Sequence, residues 1–469
     1  MLCWLDSPHE THNLAGDRFA AVIGACDPWH LLGGASAVVV DSDDELALIA
    51  AIAGVPVQCV GSGSYEPLGA HRHRSTLRGA LRDCVVGAFS YSDPFSGEPL
   101  DHSEAIRICG FWRSLIDSNR DIGGAVGFAF WKRSTVEPLL WRGVDGAPFL
   151  SNPDSVQEGD RIALWRARTP PSAISKLERR GARLIEVEDG FIRSAGLGAD
   201  CVPPLSIVLD RAGAHFDPGR PSDLEGLIEG AVIGADLRHR AHELRALLVA
   251  SGISKYAVGR KSLERRDPIR RHILVPGQVE DDRAVTLGGL GLTSNFELLC
   301  RVRAEAPDAF LIYKPHPDVE AGHRKGAIPD DRCLSVADEI AGDQSISALL
   351  DLVDEVHVNT SLTGFEALLR EKPVTTHGVP FYAGWGLTRD LGPVPGRRTA
   401  KRSLDELVAA VLLLYPRYLD PDTGLPCPAE VLVRRLSDSA GGPNAGLLVR
   451  LRRLQGRCRR ALVNLRQRR

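Results

Sequence analysis

Short apolar runs alternate with amphipathic segments along most of the chain, and the runs end in glycine, proline or polar residues. Near the amino terminus, the apolar runs 37–40 and 55–60 predict buried strands on either side of a helix over 43–53. The same order of strand, helix and strand returns over 356–377. Units of this kind are typical of parallel sheets that are covered by helices.

The two strand–helix–strand units belong to a longer internal repeat. Downstream of the first unit, residues 91–97 read YSDPFSG, and downstream of the second, residues 418–424 read YLDPDTG at nearly the same offset. A repeat of this length indicates a duplicated module rather than a solenoid. We therefore expect residues 1–120 to be the partial remnant of a first module, which a complete second module follows.

The second module contains two consecutive blocks of alternating strands and helices. In the first block the pattern predicts strands over 127–130, 161–165 and 183–187, and helices over 173–180, 223–233 and 241–248. A polar stretch then leads to a new strand at 273–275. The sequence thus predicts an α/β protein with two doubly wound parallel sheets, one over 125–270 and one over 271–437, with a ligand cleft at the carboxyl ends of the strands.

Composition narrows the function classes. The 469 residues are 43% hydrophobic and carry a net charge of −3, which is ordinary for a globular protein and unlike a nucleic-acid enzyme. Ten scattered cysteines without close pairs favour a reducing compartment, and neither a secretory signal nor a membrane-spanning run is recognised. We expect a cytoplasmic protein.

A basic tail, 438–469, is the exception to this balance. No acid follows Asp438, and residues 450–469 include nine arginines among leucines and valines. The tail is either a solvated, partly helical end or a segment that binds anionic lipid headgroups through 447–469. The second interpretation predicts a peripheral membrane protein.

Polar residues follow two predicted strands with a carboxylate-rich pattern. After the strand at 183–187 come Glu188 and Asp189, then Arg193 and Ser194, which either bind the hydroxyls and charge of a sugar or satisfy loop amides. After the strand at 273–275, the acids form a consecutive triplet behind an amide. These four residues are Gln278, Glu280, Asp281 and Asp282. The triplet is either a solvated turn or the source of a nucleophile or general base.

Two further strand ends predict an anion site. Lys314 and His316 alternate with prolines that restrict the backbone, a pattern that suits the phosphate of a nucleotide sugar. Thr360 and Ser361 precede a helix that a capping box between Thr363 and Glu366 would start near 364, and free amides at a helix start attract anions. Glu366 is either part of this cap or a ligand for ribose hydroxyls.

A glycine- and aromatic-rich loop, 377–388, follows the last of these strands. Its aromatic residues include Tyr382 and Trp385, which either line a sugar or base pocket or pack the seam between the domains.

Four ordered motifs together resemble the capsule polysaccharide biosynthesis family, and within it the KpsC-type β-Kdo transferases. The motifs are VEDGFIRS with GLG (187–198), QVEDD (278–282), KPHP (314–317) and PFYAGWGLT (380–388), and the resemblance covers about 125–435. It implies a GT-B-like pair of Rossmann-type domains, an acceptor domain at 125–270 and a CMP-sugar domain at 271–437, with a partial Rossmann-like remnant in front.

The resemblance also implies an activity and roles for the motif residues. CMP-Kdo would be the donor, no cofactor or metal would be needed, and a lipid-linked, phosphatidylglycerol-type Kdo acceptor would be extended with retention of configuration in capsule linker synthesis. Asp282 would be the nucleophile, with Glu280, Asp281 and Glu188 as its catalytic partners. Donor-binding residues would be Lys314, His316, Thr360, Ser361, Glu366 and Gln278, and substrate-binding residues would be Asp189, Arg193, Ser194, Tyr382 and Trp385.

The chain departs from the family pattern in its first module, where residues 41–45 replace the Thr-Ser-Leu-Thr-Gly motif and no Lys-Pro-His-Pro precedes them. We therefore expect one working site, which forms one linkage. The expected partners are a possible second Kdo transferase and the capsule export machinery. The alternatives are another nucleotide-sugar enzyme such as an epimerase, or a catalytically dead scaffold protein in capsule assembly.

Overall fold

The computed structural model describes residues 2–5, 20–23, 27–70, 74–87, 89–143, 146–193, 202–253, 263–322, 324–342 and 344–438. The chain divides into two compact units, Met1–Gly110 and Phe111–Arg469. The arginine-rich part of the predicted tail, 450–469, lies outside the described residues. Within the described ranges, no helix has both the length and the apolar character needed to cross a bilayer.

The first unit is built from short elements. Its strands are β1 (Leu2–Leu5), β2 (Ala20–Ile23), β3 (Val38–Asp41), β4 (Val57–Val60), β5 (Tyr91–Ser92) and β6 (Pro99–Leu100), and its helices are α1 (Pro28–Leu32), α2 (Leu46–Ala53), α3 (Arg74–Leu81) and the start of α4 (His102–Asn119). Strands β3 and β4 pair in parallel on either side of α2, as the apolar pattern predicts. Ala47 and Ala51 of α2 pack in a small core with Val40 and Leu68.

The repeated YxDPxxG segments form the same kind of turn in both units. Asp93 accepts hydrogen bonds from the backbone N–H groups of residues 95 and 96, and Asp420 accepts them from those of residues 422 and 423. Gly97 and Gly424 close these turns with φ of 78° and 71°, which favours glycine. The internal repeat in the sequence is therefore also a repeat in the structure.

The first sheet of the second unit has six strands in the order β18-β17-β10-β9-β8-β7. These are β7 (Ile122–Val126), β8 (Arg161–Leu164), β9 (Arg183–Asp189), β10 (Ser206–Asp210), β17 (Pro416–Leu419) and β18 (Pro426–Cys427), with helices α5 (Phe130–Val136), α6 (Pro171–Arg179), α7 (Asp223–Gly230), α8 (Ala235–Ser251) and α16 (Ala429–Asp438). Strands β7, β8 and β9 are parallel, whereas the β9–β10, β10–β17 and β17–β18 pairs are antiparallel. The sheet is mixed where a fully parallel one was expected, and the end of the predicted 271–437 domain returns to it.

The second sheet also has six strands, and all its pairs are parallel, in the order β13-β12-β11-β14-β15-β16. Its strands are β11 (His272–Pro276), β12 (Phe310–Lys314), β13 (Glu339–Ile340), β14 (Glu355–Val358), β15 (Val374–Thr376) and β16 (Arg389–Asp390), and its helices are α9 (Arg283–Gly288), α10 (Asn295–Glu305), α11 (Pro317–Glu320), α12 (Asp330–Leu334), α13 (Ile346–Leu352), α14 (Leu362–Leu369) and α15 (Leu404–Val408). Its three central strands, β12, β11 and β14, are almost completely buried, as expected for a sheet with helices on both faces.

The segment after β16 fastens the second sheet to helix α7 of the first. Arg398 donates from Nε to Glu225 over 2.8 Å, and its Nη1 donates to the carbonyls of residues 380 and 383. Thr399 N donates to Glu229 over 2.9 Å. The two sheets are thus connected side by side, with the carboxyl ends of their parallel strands around a shared cleft.

Candidate active site

A cavity of about 580 Å³ occupies this cleft, where strands of both sheets end. Ten of the predicted site residues line it: Glu188, Asp189, Arg193, Gln278, Asp282, Lys314, His316, Thr360, Ser361 and Glu366. A volume of this size accommodates a nucleotide-sized ligand. Ser194 lies outside the described residues.

Asp282 is the member of the acidic triplet that reaches the cavity. It is the N-cap of α9, where its Oδ1 accepts a hydrogen bond of 3.0 Å from Ala284 N. Its side chain is about half exposed, and Oδ2 lies 3.9 Å from Arg324. A fixed, accessible carboxylate is the geometry that a nucleophile requires.

Glu280 and Asp281 are not among the residues that line the cavity, so the structure does not place them there with Asp282, and their catalytic roles stay predictions. Glu280 accepts a hydrogen bond of 2.8 Å from Asn295 N at the start of α10, and Asp281 pairs with Arg324 on the surface over 3.1 Å. Both carboxylates are occupied by neighbours on the far side of the turn. The mutual repulsion expected of three adjacent acids is relieved because Glu280 binds the N–H group of Asn295, while Asp281 and Asp282 share the guanidinium of Arg324, at 3.1 Å and 3.9 Å.

Glu188, near the end of β9, faces Asp282 from the first sheet. Burial raises the pKa of its carboxyl to about 7; Arg283 lowers this pKa and Asp189 raises it. Arg283 lies 3.3 Å from Glu188 Oε1. A carboxyl with this pKa exchanges a proton readily near neutral pH, so Glu188 fits the chemistry of a general acid or base.

Asp189, the next residue, is bound by two cations. Lys132 Nζ lies 3.0 Å from its Oδ1, and Arg193 Nε lies 2.8 Å from its Oδ2. Lys132 is buried over the ring of Trp165, with Nζ 3.3 Å from the ring centroid. Asp189 is therefore a structural partner of two cations beside Glu188, and Arg193 is oriented by it.

Lys314 and His316 lie at the end of β12, on the wall that the second sheet forms. Lys314 Nζ donates to the carbonyl of Gly342 and lies 3.3 Å from Glu320, which fixes the ammonium at the cavity edge. His316 caps the short helix α11, and its Nδ1 accepts a hydrogen bond of 3.1 Å from Asp318 N. The neutral imidazole therefore carries its proton on Nε2, which makes Nε2–H a donor.

Gln278 and Thr360 join two strand ends of the second sheet. Gln278 Nε2 donates to Thr360 Oγ1 over 3.0 Å, and its Oε1 accepts from Thr360 N over 2.9 Å. Both ends of this amide are used within the protein. Gln278 consequently shapes the cavity wall, and its contact with the donor stays a prediction.

Helix α14 begins two residues earlier than predicted. Its N-cap is Ser361, whose Oγ accepts from Thr363 N over 3.2 Å, so the predicted capping box between Thr363 and Glu366 is wrong. Glu366 is buried one turn inside the helix and lines the cavity. The start of the helix still faces the cleft, because Ser361 and Thr363 are both in its lining.

The aromatic loop does not place Tyr382 and Trp385 against a ligand. Both side chains are fully buried; the Tyr382 hydroxyl donates to the carbonyl of Ser361, and Trp385 Nε1 donates to that of Phe381. Their burial favours the second of the two interpretations, in which these rings are packing residues, over contact with a ligand. Phe381 is the ring of this loop that reaches the cavity.

Several residues of the site were missed at the level of sequence. His215 and Phe216 line the cavity with Phe191, whose ring centroid lies 5.2 Å from that of His215. Arg283 and Lys132 bind the carboxylates of β9 from other elements. His215 and Phe216 lie after β10, where the sequence pattern predicted no strand. Because β10 runs antiparallel to β9, the rule for the ends of parallel strands does not apply to this segment.

Metal ligation has no visible basis in the described ranges, where no group of three or more His, Cys, Asp or Glu side chains is arranged to hold an ion. That the donor is used without a metal stays a prediction. Positive charge near the cavity comes from side chains such as Lys314, Arg193 and Arg324.

The sequence model of the family described as "Capsule polysaccharide biosynthesis protein" matches residues 160–244 and 236–418. Among curated proteins, the capsule polysaccharide modification protein LipA of Neisseria meningitidis serogroup A is 37% identical over 354 residues, 74% of this chain and 50% of LipA. The lipopolysaccharide-processing protein LpsZ of Rhizobium meliloti is 46% identical over 263 residues, 55% of this chain and 60% of LpsZ. The chain spans half to three fifths of the length of these relatives.

Two solved structures of Thermosulfurimonas dismutans KpsC resemble this chain. Its β-Kdo 2,4 transferase superposes with a TM-score of 0.58 at 32% identity, and its β-Kdo 2,7 transferase with a TM-score of 0.54 at 34% identity. Each match covers 67% of this chain and 98% of the solved one. The similarity confirms the predicted GT-B-like fold class.

Proposed function

Because this chain belongs to the capsule polysaccharide biosynthesis protein family, we propose that it is a glycosyltransferase that moves Kdo from CMP-Kdo to a Kdo-terminated, lipid-linked acceptor. The observation that carries the proposal is the single cavity in which Asp282, Glu188, Lys314 and His316 meet. The names of the two solved relatives supply the sugar.

The roles follow from the position of each side chain in the cleft. Asp282 attacks the anomeric carbon of Kdo as its bond to the CMP phosphate breaks, which gives a sugar ester on the carboxylate. Lys314 and the Nε2–H of His316 stabilise the charge on the departing phosphate, with Ser361 at the start of α14 beside them. Glu366 is placed to accept ribose hydroxyls.

The second step regenerates the enzyme. A hydroxyl of the acceptor Kdo attacks the same anomeric carbon, and Glu188 takes the proton of that hydroxyl while the ester to Asp282 breaks. Two inversions at one carbon give net retention. A base with a pKa of about 7 is half ionised at neutral pH, which suits this task.

The proposal extends to the place of action. The arginine-rich tail would hold the enzyme at an anionic, cytoplasmic membrane surface where a lipid-linked acceptor resides. Binding to vesicles with anionic lipid should be lost in high salt and on deletion of 447–469. If vesicle binding does not depend on salt, or if the deletion variant still binds, this part of the proposal is contradicted.

The decisive experiment compares wild type with Asp282→Ala in the presence of CMP-Kdo and a Kdo-terminated lipid-mimic acceptor. Intact-protein mass spectrometry should detect an adduct of one Kdo on wild type, and chromatography should detect extended acceptor. Asp282→Ala should give neither. Asp281→Ala is the matched control, because it removes a neighbouring carboxylate that is not among the residues lining the cavity, and it should keep product formation.

Each alternative outcome has a defined meaning. Turnover by Asp282→Ala would retain the transferase and reject the nucleophile. A folded wild type that neither hydrolyses CMP-Kdo nor extends the acceptor would reject the enzyme and favour a scaffold protein.

A further inference from the structure

Arg283 connects the two sides of the cleft at the site of the proposed reaction. We propose that Arg283 is a positioning residue, whose guanidinium holds the Glu188 carboxyl on the first sheet in register with Asp282 on the second. The inference rests on the proposed transferase function and adds to it a residue through which the two carboxyls are aligned.

The backbone fixes where Arg283 starts. It is the first residue of α9 and directly follows Asp282, whose side chain caps that helix. Any shift of Arg283 along the cleft therefore moves Asp282 with it. The side chain then leaves the second sheet and crosses to the first.

On the first sheet, the guanidinium binds two carboxylates of β9. Arg283 Nη1 and Nη2 both lie 3.1 Å from Glu186 Oε2, and Nη1 lies 3.3 Å from Glu188 Oε1. Residues two apart in a strand project to the same face, so one planar cation serves both. Arg283 also lies over the ring of Phe216, 4.9 Å from its centroid, which restricts its rotation.

The anchoring is independent of the reacting carboxyl. Glu186 is held by Arg166 as well as by Arg283, so it stays in place without Glu188. Glu188 has the weaker share of the guanidinium, at 3.3 Å. The arrangement fixes Glu188 firmly enough to orient it and leaves it able to exchange a proton.

The charges around Glu188 determine what the loss of Arg283 would do. The ionisable groups that act on its pKa or contact it are Lys132, Glu186, Asp189, Arg283 and Tyr415, and Asp282 faces it across the cavity. Two of these are carboxylates that raise its pKa, and Arg283 is the largest influence that lowers it. Removal of Arg283 should therefore raise the pKa of Glu188 above about 7 and free its side chain to move.

The test measures transfer from CMP-Kdo as a function of pH for three variants. In Arg283→Met, kcat should fall about 10- to 100-fold with the KM for CMP-Kdo nearly unchanged, and the acidic limb of the profile should move to higher pH. Arg283→Lys should recover only part of kcat, because an ammonium cannot bridge both carboxylates. Arg166→Met, which loosens Glu186 without touching Glu188, should keep kcat within about threefold of wild type.

A second variant, for which the acidic limb of the pH profile should move in the opposite direction, tests the inference if Arg283→Met does not fold. Glu186→Gln removes a neighbouring negative charge and leaves the guanidinium to Glu188, so the acidic limb should move to lower pH. Wild-type activity with unshifted limbs in Arg283→Met and Glu186→Gln would overturn the inference and leave the transferase intact. Inactive wild type would instead reject the proposed function.

Discussion

The buried ammonium of Lys132 offers a direct test of how the acidic end of β9 is stabilised. Lys132→Met keeps the apolar stem and removes the charge that lies 3.0 Å from Asp189 and 3.3 Å above Trp165. Loss of one partner from a fully buried ion pair costs about 3–5 kcal/mol. Asp189 keeps Arg193 at 2.8 Å and is 24% exposed, and the ammonium no longer has to be desolvated. We therefore expect a loss of about 2 kcal/mol in the free energy of unfolding.

Urea denaturation followed by far-UV circular dichroism measures this loss. The matched control is Lys176→Met, which removes a lysine 2.6 Å from Asp154 in a pair whose side chains are 42% and 47% exposed. An exposed pair contributes less than about 1 kcal/mol, so the control should shift the midpoint little. Equal midpoints for the two variants, at unchanged slope, would refute the view that Lys132 stabilises a buried carboxylate.

Three further outcomes follow from the contacts described. Gly364→Ala should destabilise the protein by about 1–3 kcal/mol because the new Cβ would lie 2.2 Å from the Tyr382 hydroxyl. Gly226→Ala is the control in the same thermal melt: its new Cβ would have no atom within 4 Å, so this variant should be neutral or slightly stabilising. Burial lowers the pKa of His377 to about 4, so the unfolded chain binds a proton at higher pH than the folded protein does. The free energy of unfolding should therefore fall by up to about 3 kcal/mol as pH falls from 6.5 to 4. If the free energy of unfolding of His377→Gln changed with pH as steeply as that of wild type, this explanation would be contradicted. For Glu188, whose pKa is about 7, transfer should rise with pH through 7 because the base must be ionised, and Glu188→Gln should lack that limb; an unchanged limb would exclude Glu188 as the base.

The strand ends could be predicted because their signals are local. Asp282 follows a buried run closed by Pro-Gly, and His316 stands between two prolines, so both positions are fixed within a few residues of a strand. Parallel strands end at one edge of a sheet, which brings such residues together without knowledge of the packing. Ser361 was found for the same reason, although the helix boundary was misplaced.

The errors arose where the structure depends on distant contacts or on weak periodicity. The strand predicted at 127–130 is in fact β7, Ile122–Val126, and Phe130 starts α5. Two glycines inside β7 weaken its apolar pattern, while Phe-Ala-Phe imitates a strand, and the error concealed Lys132 on α5. Tyr382 is buried because Gly364 lets its ring approach α14, a contact that no local pattern reveals.

Asp282 caps α9 through Oδ1, and its Oδ2 lies 3.9 Å from Arg324, another residue of the cavity lining. If a sugar ester forms on Oδ2, Oδ1 becomes the ester carbonyl and can still accept the hydrogen bond from Ala284 N. The same hydrogen bond would then cap the helix in the free enzyme and in the glycosylated enzyme. Arg283, the first residue of that helix, would therefore keep its position during turnover. A single backbone N–H would thus distinguish the two chemically equivalent oxygens of the carboxylate. One oxygen would keep the hydrogen bond that caps the helix, and the other would be the reactive atom.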